Sequence, residues 1–175
     1  MEQCNECDFR YGDVDPDAVS ESLKRLATEH AELLAESDVG ATVRTRPAPT
    51  VWSALEYVCH VRDVLLIQRD RVILALVEDC PRFAPMYRDE RVVLASYRDE
   101  SVDDVADAIE IAATLFSRVF DQLSAEQLAR KCIYNFPAPT ERDVSWLGRH
   151  TLHEAAHHLV DLKRVLSQAR GNSHT

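Results

Sequence analysis

Apolar positions recur every three or four residues over four long stretches of the chain, the spacing of amphipathic helices. In the first stretch Val19, Leu23, Leu26, Ala27, His30 and Leu33/Leu34 follow Asp15-Pro16, an N-cap residue and a proline at the first helical position. It runs to Ser37-Asp38-Val39-Gly40, where glycine suits the C-terminal cap. Residues 40–51, with Arg46-Pro47-Ala48-Pro49, predict an extended linker. The second helix opens on Ser53-x-x-Glu56, the capping-box spacing, behind Trp52 as the hydrophobic staple, and runs to about Asp79 before Pro81. Tyr57, His60, Val64, Ile67, Arg71 and Leu74 share its inner stripe.

Residues 80–100, with Pro81 and Pro85, predict a long crossover containing a short helix around 89–97. The third long helix starts at Ser101-x-x-Asp104 and reaches about Gln122, with Val105, Ile109, Ala112, Leu115/Phe116 and Val119 inward. Ser124-x-x-Gln127 opens a short extra turn, and residues 131–143 form a loop with room for a brief strand. The last helix starts near Asp143 and ends around Gly171. Four long helices with a long crossover after the second predict an all-α four-helix bundle over residues 15–171, preceded by a separate segment, residues 1–14.

A length of 175 residues suits one domain with a real core. No stretch approaches the roughly 20 apolar residues of a membrane span. The acidic, polar start, Met1-Glu2-Gln3-Cys4-Asn5-Glu6-Cys7-Asp8, does not read as a signal peptide, so a cytoplasmic protein with reduced cysteines is expected. The net charge is −10, with 30 acidic against 20 basic residues and no basic run, which speaks against nucleic acid as a partner. Of the 20 basic residues only Lys24, Lys131 and Lys163 are lysine, which, with many Ala and Val, reads as coding from a GC-rich genome.

The chemistry concentrates in Arg149-His150-Thr151-Leu152-His153-Glu154-Ala155-Ala156-His157-His158-Leu159-Val160-Asp161. Four of the seven histidines fall in this helical run, and two overlapping i,i+4 pairs, His153/His157 and Glu154/His158, have the spacing that chelates a metal ion. His60, on an inward stripe, is the best candidate for a third ligand, whereas His30 reads as an ordinary helix residue. At about 100° per residue from the centre of the apolar arc at Leu159, His158 lies about 100° away, His153 about 120°, Glu154 about 140° and His157 about 160°. The wheel puts His158 nearest the interior and His157 furthest out, and separates the two pairs only modestly. Cys4-x-x-Cys7 reads as half of a zinc knuckle or a redox pair, against a frayed terminus with two exposed thiols; no strand precedes it as a redox pair needs, and with His153 and His157 it would make a Cys2His2 donor set for a second, structural zinc site on the outer face of the last helix. His153-Glu154-Ala155-Ala156-His157 also matches the H-E-x-x-H of zinc proteases, but no downstream third ligand and no expected sheet accompany it.

Three features together resemble the DinB-like superfamily of metal-binding four-helix bundles, which includes YfiT-type thiol transferases and mycothiol-dependent maleylpyruvate isomerases. They are Trp52-Ser53-Ala54-Leu55-Glu56-Tyr57-Val58-Cys59-His60-Val61, the long second connection, and His157-His158-Leu159-Val160-Asp161-Leu162, and the match spans about residues 15–168. The N-terminal CxxC departs from the family pattern. The resemblance implies a divalent metal held by one histidine of the second helix and an i,i+4 pair of the last, with an open position for a thiol. In the isomerase branch the last-helix ligands read Glu-x-x-x-His, which here selects Glu154 and His158 beside His60. Two nitrogens and one carboxylate suit zinc and admit nickel or iron. The expected activity is that of a metal-dependent low-molecular-weight thiol transferase or isomerase. The resemblance, with the GC-rich composition, implies mycothiol as the expected co-substrate and a small electrophile as the expected partner; a homodimer stays open. The competing expectation is a non-catalytic metal-binding stress-response bundle, distinguished by a closed, fully protein-ligated site.

Overall fold

The computed structural model describes residues 3–37, 42–135 and 137–172. The expected glycine cap at Gly40 lies outside them. Asp15 caps a 3-10 turn, Pro16–Ala18, by accepting from Asp17 N, and the first α-helix, α1, follows at Val19–Glu36. The second, α2, spans Ala54–Val77. Its start is a complete capping box: Ser53 Oγ accepts from Glu56 N at 3.3 Å, and Glu56 Oε2 accepts from Ser53 N at 2.8 Å. Arg46 then holds the Glu56 carboxylate from the linker at 2.7 Å.

The crossover carries α3, Arg88–Leu94, and a 3-10 turn, Tyr97–Asp99, so the expected short helix is two pieces broken at Ser96, whose φ of 52° is left-handed. Asp63 of α2 anchors it, accepting from Tyr97 Oη at 2.6 Å and from Arg91 at 3.3 Å, while Arg62 pairs with Glu100. The third long helix, α4, is Val102–Phe120, and Ser124 and Gln127 form a second capping box on α5, Ala125–Leu128. Residues 131–143 hold more than one brief strand: β1, Lys131–Tyr134, pairs antiparallel with β2, Thr140–Asp143, with Lys131 opposite Asp143. Ile133 also exchanges backbone hydrogen bonds with Pro81 and Phe83, which gives the hairpin a third side to lean on. Asp143 Oδ1 accepts from Trp146 N at 2.7 Å and so turns the strand into the last helix, α6, Val144–Asn172.

The long helices make a four-helix bundle in which α4 packs on both α1 and α2, and α6 packs on both α2 and α1. Helices α1 and α2 scarcely touch, so the linker between them joins diagonal rather than neighbouring helices. Leu23, Leu34, Leu55, Leu65, Ile109, Phe116, Leu147 and Leu162 fill the space between them. Gly148 leaves room on α6 for the Phe120 ring at the end of α4, which a Cβ there would overlap. One stripe does not describe α2: Ala54 to Val61 are buried without interruption, because the crossover covers the face that the bundle leaves open. No helix among the described residues is long and apolar enough to cross a membrane.

Candidate metal centre

His60 projects from α2 toward α6, where Glu154 and His158 stand one turn apart. One donor atom from each lies within 4.8 Å of the other two. The His60 and His158 rings meet edge to face, centroids 4.8 Å apart at 84°, and His158 Nε2 lies 3.8 Å from Glu154 Oε2. His158 Nδ1 lies 2.9 Å from Asp161 Oδ2. Burial pushes the Asp161 carboxyl upward, but His158, His157 and Arg164 hold it below its usual range. It is therefore an ionised acceptor for the Nδ1 side of the His158 ring, which leaves Nε2 facing Glu154. A histidine oriented by a carboxylate in this way is the outer-shell arrangement of metal-ligating imidazoles.

The remaining donors fit a cation equally well. His60 Nδ1 is buried with no hydrogen-bond partner. Burial, reinforced by His158, lowers the pKa of His60 to about 3, so it is neutral and able to ligate at physiological pH. Burial raises the Glu154 pKa, yet the nearby His153, His150 and His158 bring it well below the carboxylate range. Glu154 keeps 24% of its side chain accessible, and it lines a cavity of about 500 Å³ with His60 and His158. Val64, Gln68, Arg71, Met86 and Tyr134 form other parts of that wall. Arg71 is sandwiched between Phe83 and Tyr134 and donates to Tyr134 Oη at 3.1 Å and Ala84 O at 2.7 Å, all neutral partners.

The second donor set also comes together: Cys4, Cys7, His153 and His157 each offer an atom within 4.8 Å of the others. The N-terminal segment is a tight turn rather than a frayed end. Cys4 N donates to Phe9 O at 2.9 Å, Gln3 bridges Arg10, and Asp8 sits at φ 56°. Phe9 and Tyr11 pack on His153, Tyr11 stacks on Trp146, and Tyr11 Oη lies 2.9 Å from His150 Nδ1. Arg149 Nε donates to Val14 O at 3.1 Å. This cover explains why His153 is buried although the helical wheel sets it off the apolar arc. Burial raises the Cys4 thiol, but backbone donation at Glu6, with His153 and Cys7, brings it down to about 6. Burial, with Cys4 alongside, pushes Cys7 up to about 11.

The H-E-x-x-H sequence is thus divided: Glu154 meets His60 and His158, while His153 and His157 meet the two cysteines. His150 with His153 and Glu154, and His157 with His158 and Asp161, are two further convergent sets. His30 is wholly buried, its Nδ1 bonded to Leu26 O at 2.8 Å, and it belongs to none of these clusters. Sequence reasoning gave no role to Asp161, although its i,i+3 spacing from His158 was a visible signal. The inner stripe of the second helix placed Arg71 on the side of His60, but no local pattern brings Gln68 and Tyr134 to the same wall.

A family model described as the DinB superfamily matches residues 22–161. Among solved structures the fold is similar to YfiT from Bacillus subtilis, with a TM-score of 0.66 and 16% sequence identity over 83% of this chain and 86% of that chain. That structure is described as "a probable metal-dependent hydrolase with an unusual four-helix bundle topology". No curated protein matches the chain.

Proposed function

The chain belongs to the DinB superfamily, and on that premise we propose that it is a divalent-metal-dependent enzyme. In this reading His60, Glu154 and His158 hold the ion, and a low-molecular-weight thiol adds or transfers to an electrophilic carbon. The carrying observation is the convergence of these donors on the wall of a cavity of about 500 Å³. A closed cluster would suit a non-catalytic metal protein; the accessible edge of Glu154 and the space beside it favour an enzyme.

Two imidazole nitrogens and one carboxylate oxygen suit zinc and also admit nickel or iron. A cation bound there would supply the positive charge that favours thiolate over thiol at neutral pH. Asp161 fixes the His158 ring, and burial keeps His60 in its neutral, ligating form. Arg71, whose hydrogen-bond partners are neutral, supports an electrophile bearing an anionic group such as a carboxylate. The family resemblance and the arginine-rich composition favour mycothiol as the thiol. The description of YfiT supports a second reading, in which water takes the place of the thiol and the reaction is a hydrolysis.

Cobalt substitution separates the two readings. The Cys4→Ser/Cys7→Ser variant lacks the thiols of the second cluster, so a sulfur-to-cobalt charge-transfer band that appears only when thiol is added reports that thiol on the ion. The thiol reading predicts such a band on addition of cysteine, glutathione or mycothiol. If none of the three produces it while cobalt stays bound, the thiol reading fails and hydrolysis takes its place.

A further inference from the structure

We propose that Cys4, Cys7, His153 and His157 form a structural Cys2His2 zinc centre that clips the N-terminal segment onto α6 and completes one wall of the cavity. The inference does not depend on the reaction proposed above.

Its first support is the backbone. Two cysteines separated by two residues occupy a turn closed by the Cys4 N to Phe9 O hydrogen bond and the Gln3–Arg10 bridge, with a left-handed residue at Asp8. Such a turn sets two thiols side by side, as the cysteine half of a zinc knuckle requires. Its second support is an unsatisfied pair of polar atoms. Both ring nitrogens of His153 are buried without a well-formed hydrogen bond, Nδ1 lying 3.4 Å from Glu154 Oε1, and a ligated cation would satisfy one of them. The third is the orientation of His157, whose Nδ1 lies 3.7 Å from Cys4 Sγ while Nε2 lies 3.5 Å from Glu6 Oε2 and 3.6 Å from Asp161 Oδ2. One nitrogen thus faces the Cys4 sulfur and the other is backed by carboxylates.

Four donors of this kind, two thiolates and two imidazoles, exhaust a tetrahedral zinc shell and leave no position for substrate. The centre is therefore structural. Cys4 and Glu6 line the same cavity as His60, Glu154 and His158, so the clip shapes access to the other cluster. The two clusters also share Asp161, which lies 2.9 Å from His158 Nδ1 and 3.6 Å from His157 Nε2.

The test compares the full-length protein with its Cys4→Ser/Cys7→Ser and His158→Ala variants, all produced with zinc in the medium. The expected result is that the cysteine variant holds one zinc equivalent fewer than the wild type, and that His158→Ala keeps the equivalent that the cysteine variant loses. Cobalt-loaded His158→Ala should show a sulfur-to-cobalt band from its own thiols. Unchanged zinc content in the cysteine variant overturns the proposal, and so does a cobalt spectrum of His158→Ala without a sulfur band. The second measurement keeps both thiols intact, so it holds even where the cysteine variant folds poorly.

Discussion

The two donor clusters share one helix but are built in different ways. His60, Glu154 and His158 stand on α2 and α6, two long helices packed against each other through the core. Their positions are fixed by the same apolar contacts that fold the domain. Cys4 and Cys7 stand on a short turn whose hold on α6 rests on the rings of Phe9 and Tyr11 and a few hydrogen bonds. The first cluster is preformed by folding; the second would gain its rigidity from an ion held there. An open site needs the first construction, because its donors must keep their geometry while ligands exchange. A closing site can use the second, because its binding energy is folding energy.

Acid should have the largest effect, and it acts on the bundle that carries the first cluster. Burial lowers His60 to about 3, His150 to about 4 and His30 to about 4, from 6.5 in an exposed chain. Between roughly pH 6.5 and 4 the unfolded chain therefore binds more protons at these sites than the folded one. Metal-free stability should fall as pH drops through that window, by at most about 1.4 kcal/mol per pH unit for each histidine. His153 works in the other direction: burial lowers it, but Glu154 and Cys4 outweigh burial and raise it. Chemical denaturation of the metal-free protein at pH 7 and pH 5 should give a much lower midpoint at pH 5. Equal midpoints would mean that these imidazoles are not held neutral by the fold.

Removing the shared carboxylate sharpens the comparison. Asp161→Ala frees the His158 ring and removes one of the two carboxylates beside His157 Nε2, Glu6 at 3.5 Å being the other, so the first site should weaken by about 10- to 100-fold in metal affinity and the second by less. Competition with a calibrated chelator checks this, and a loss confined to one site would show that Asp161 serves only that one. The smallest effect expected is at the helix cap. Ser53→Ala removes the Oγ acceptor for Glu56 N at the start of the helix that carries His60. It should cost about 1 kcal/mol of global stability. Amide exchange should rise at the start of α2 and leave Cys4 to Tyr11 unchanged.

Much of this architecture was legible in the sequence, because it is written in local chemistry. Ser53-x-x-Glu56 and Ser124-x-x-Gln127 cap helices where their spacing says they should. The i,i+4 spacing of Glu154 and His158 carries directly into space. What stayed hidden depends on partners remote in the chain. The diagonal relation of α1 and α2 follows from how α4 and α6 pack between them, not from any property of the linker. The hairpin at 131–143 gains its second face from Pro81 and Phe83, some fifty positions earlier. The helical wheel treats α6 as a cylinder with one buried side, and the docking of Phe9 and Tyr11 buries His153 and His150 on another.

The central claim is that His60, Glu154 and His158 hold the metal of the bundle. It is tested most directly by metal analysis of two substitutions made in the Cys4→Ser/Cys7→Ser background, where the second cluster has lost its thiols. The account predicts that His157→Ala retains one metal equivalent per chain and that His158→Ala retains none. A metal-free His157→Ala protein beside a metal-loaded His158→Ala protein would contradict it and move the site to His153 and His157.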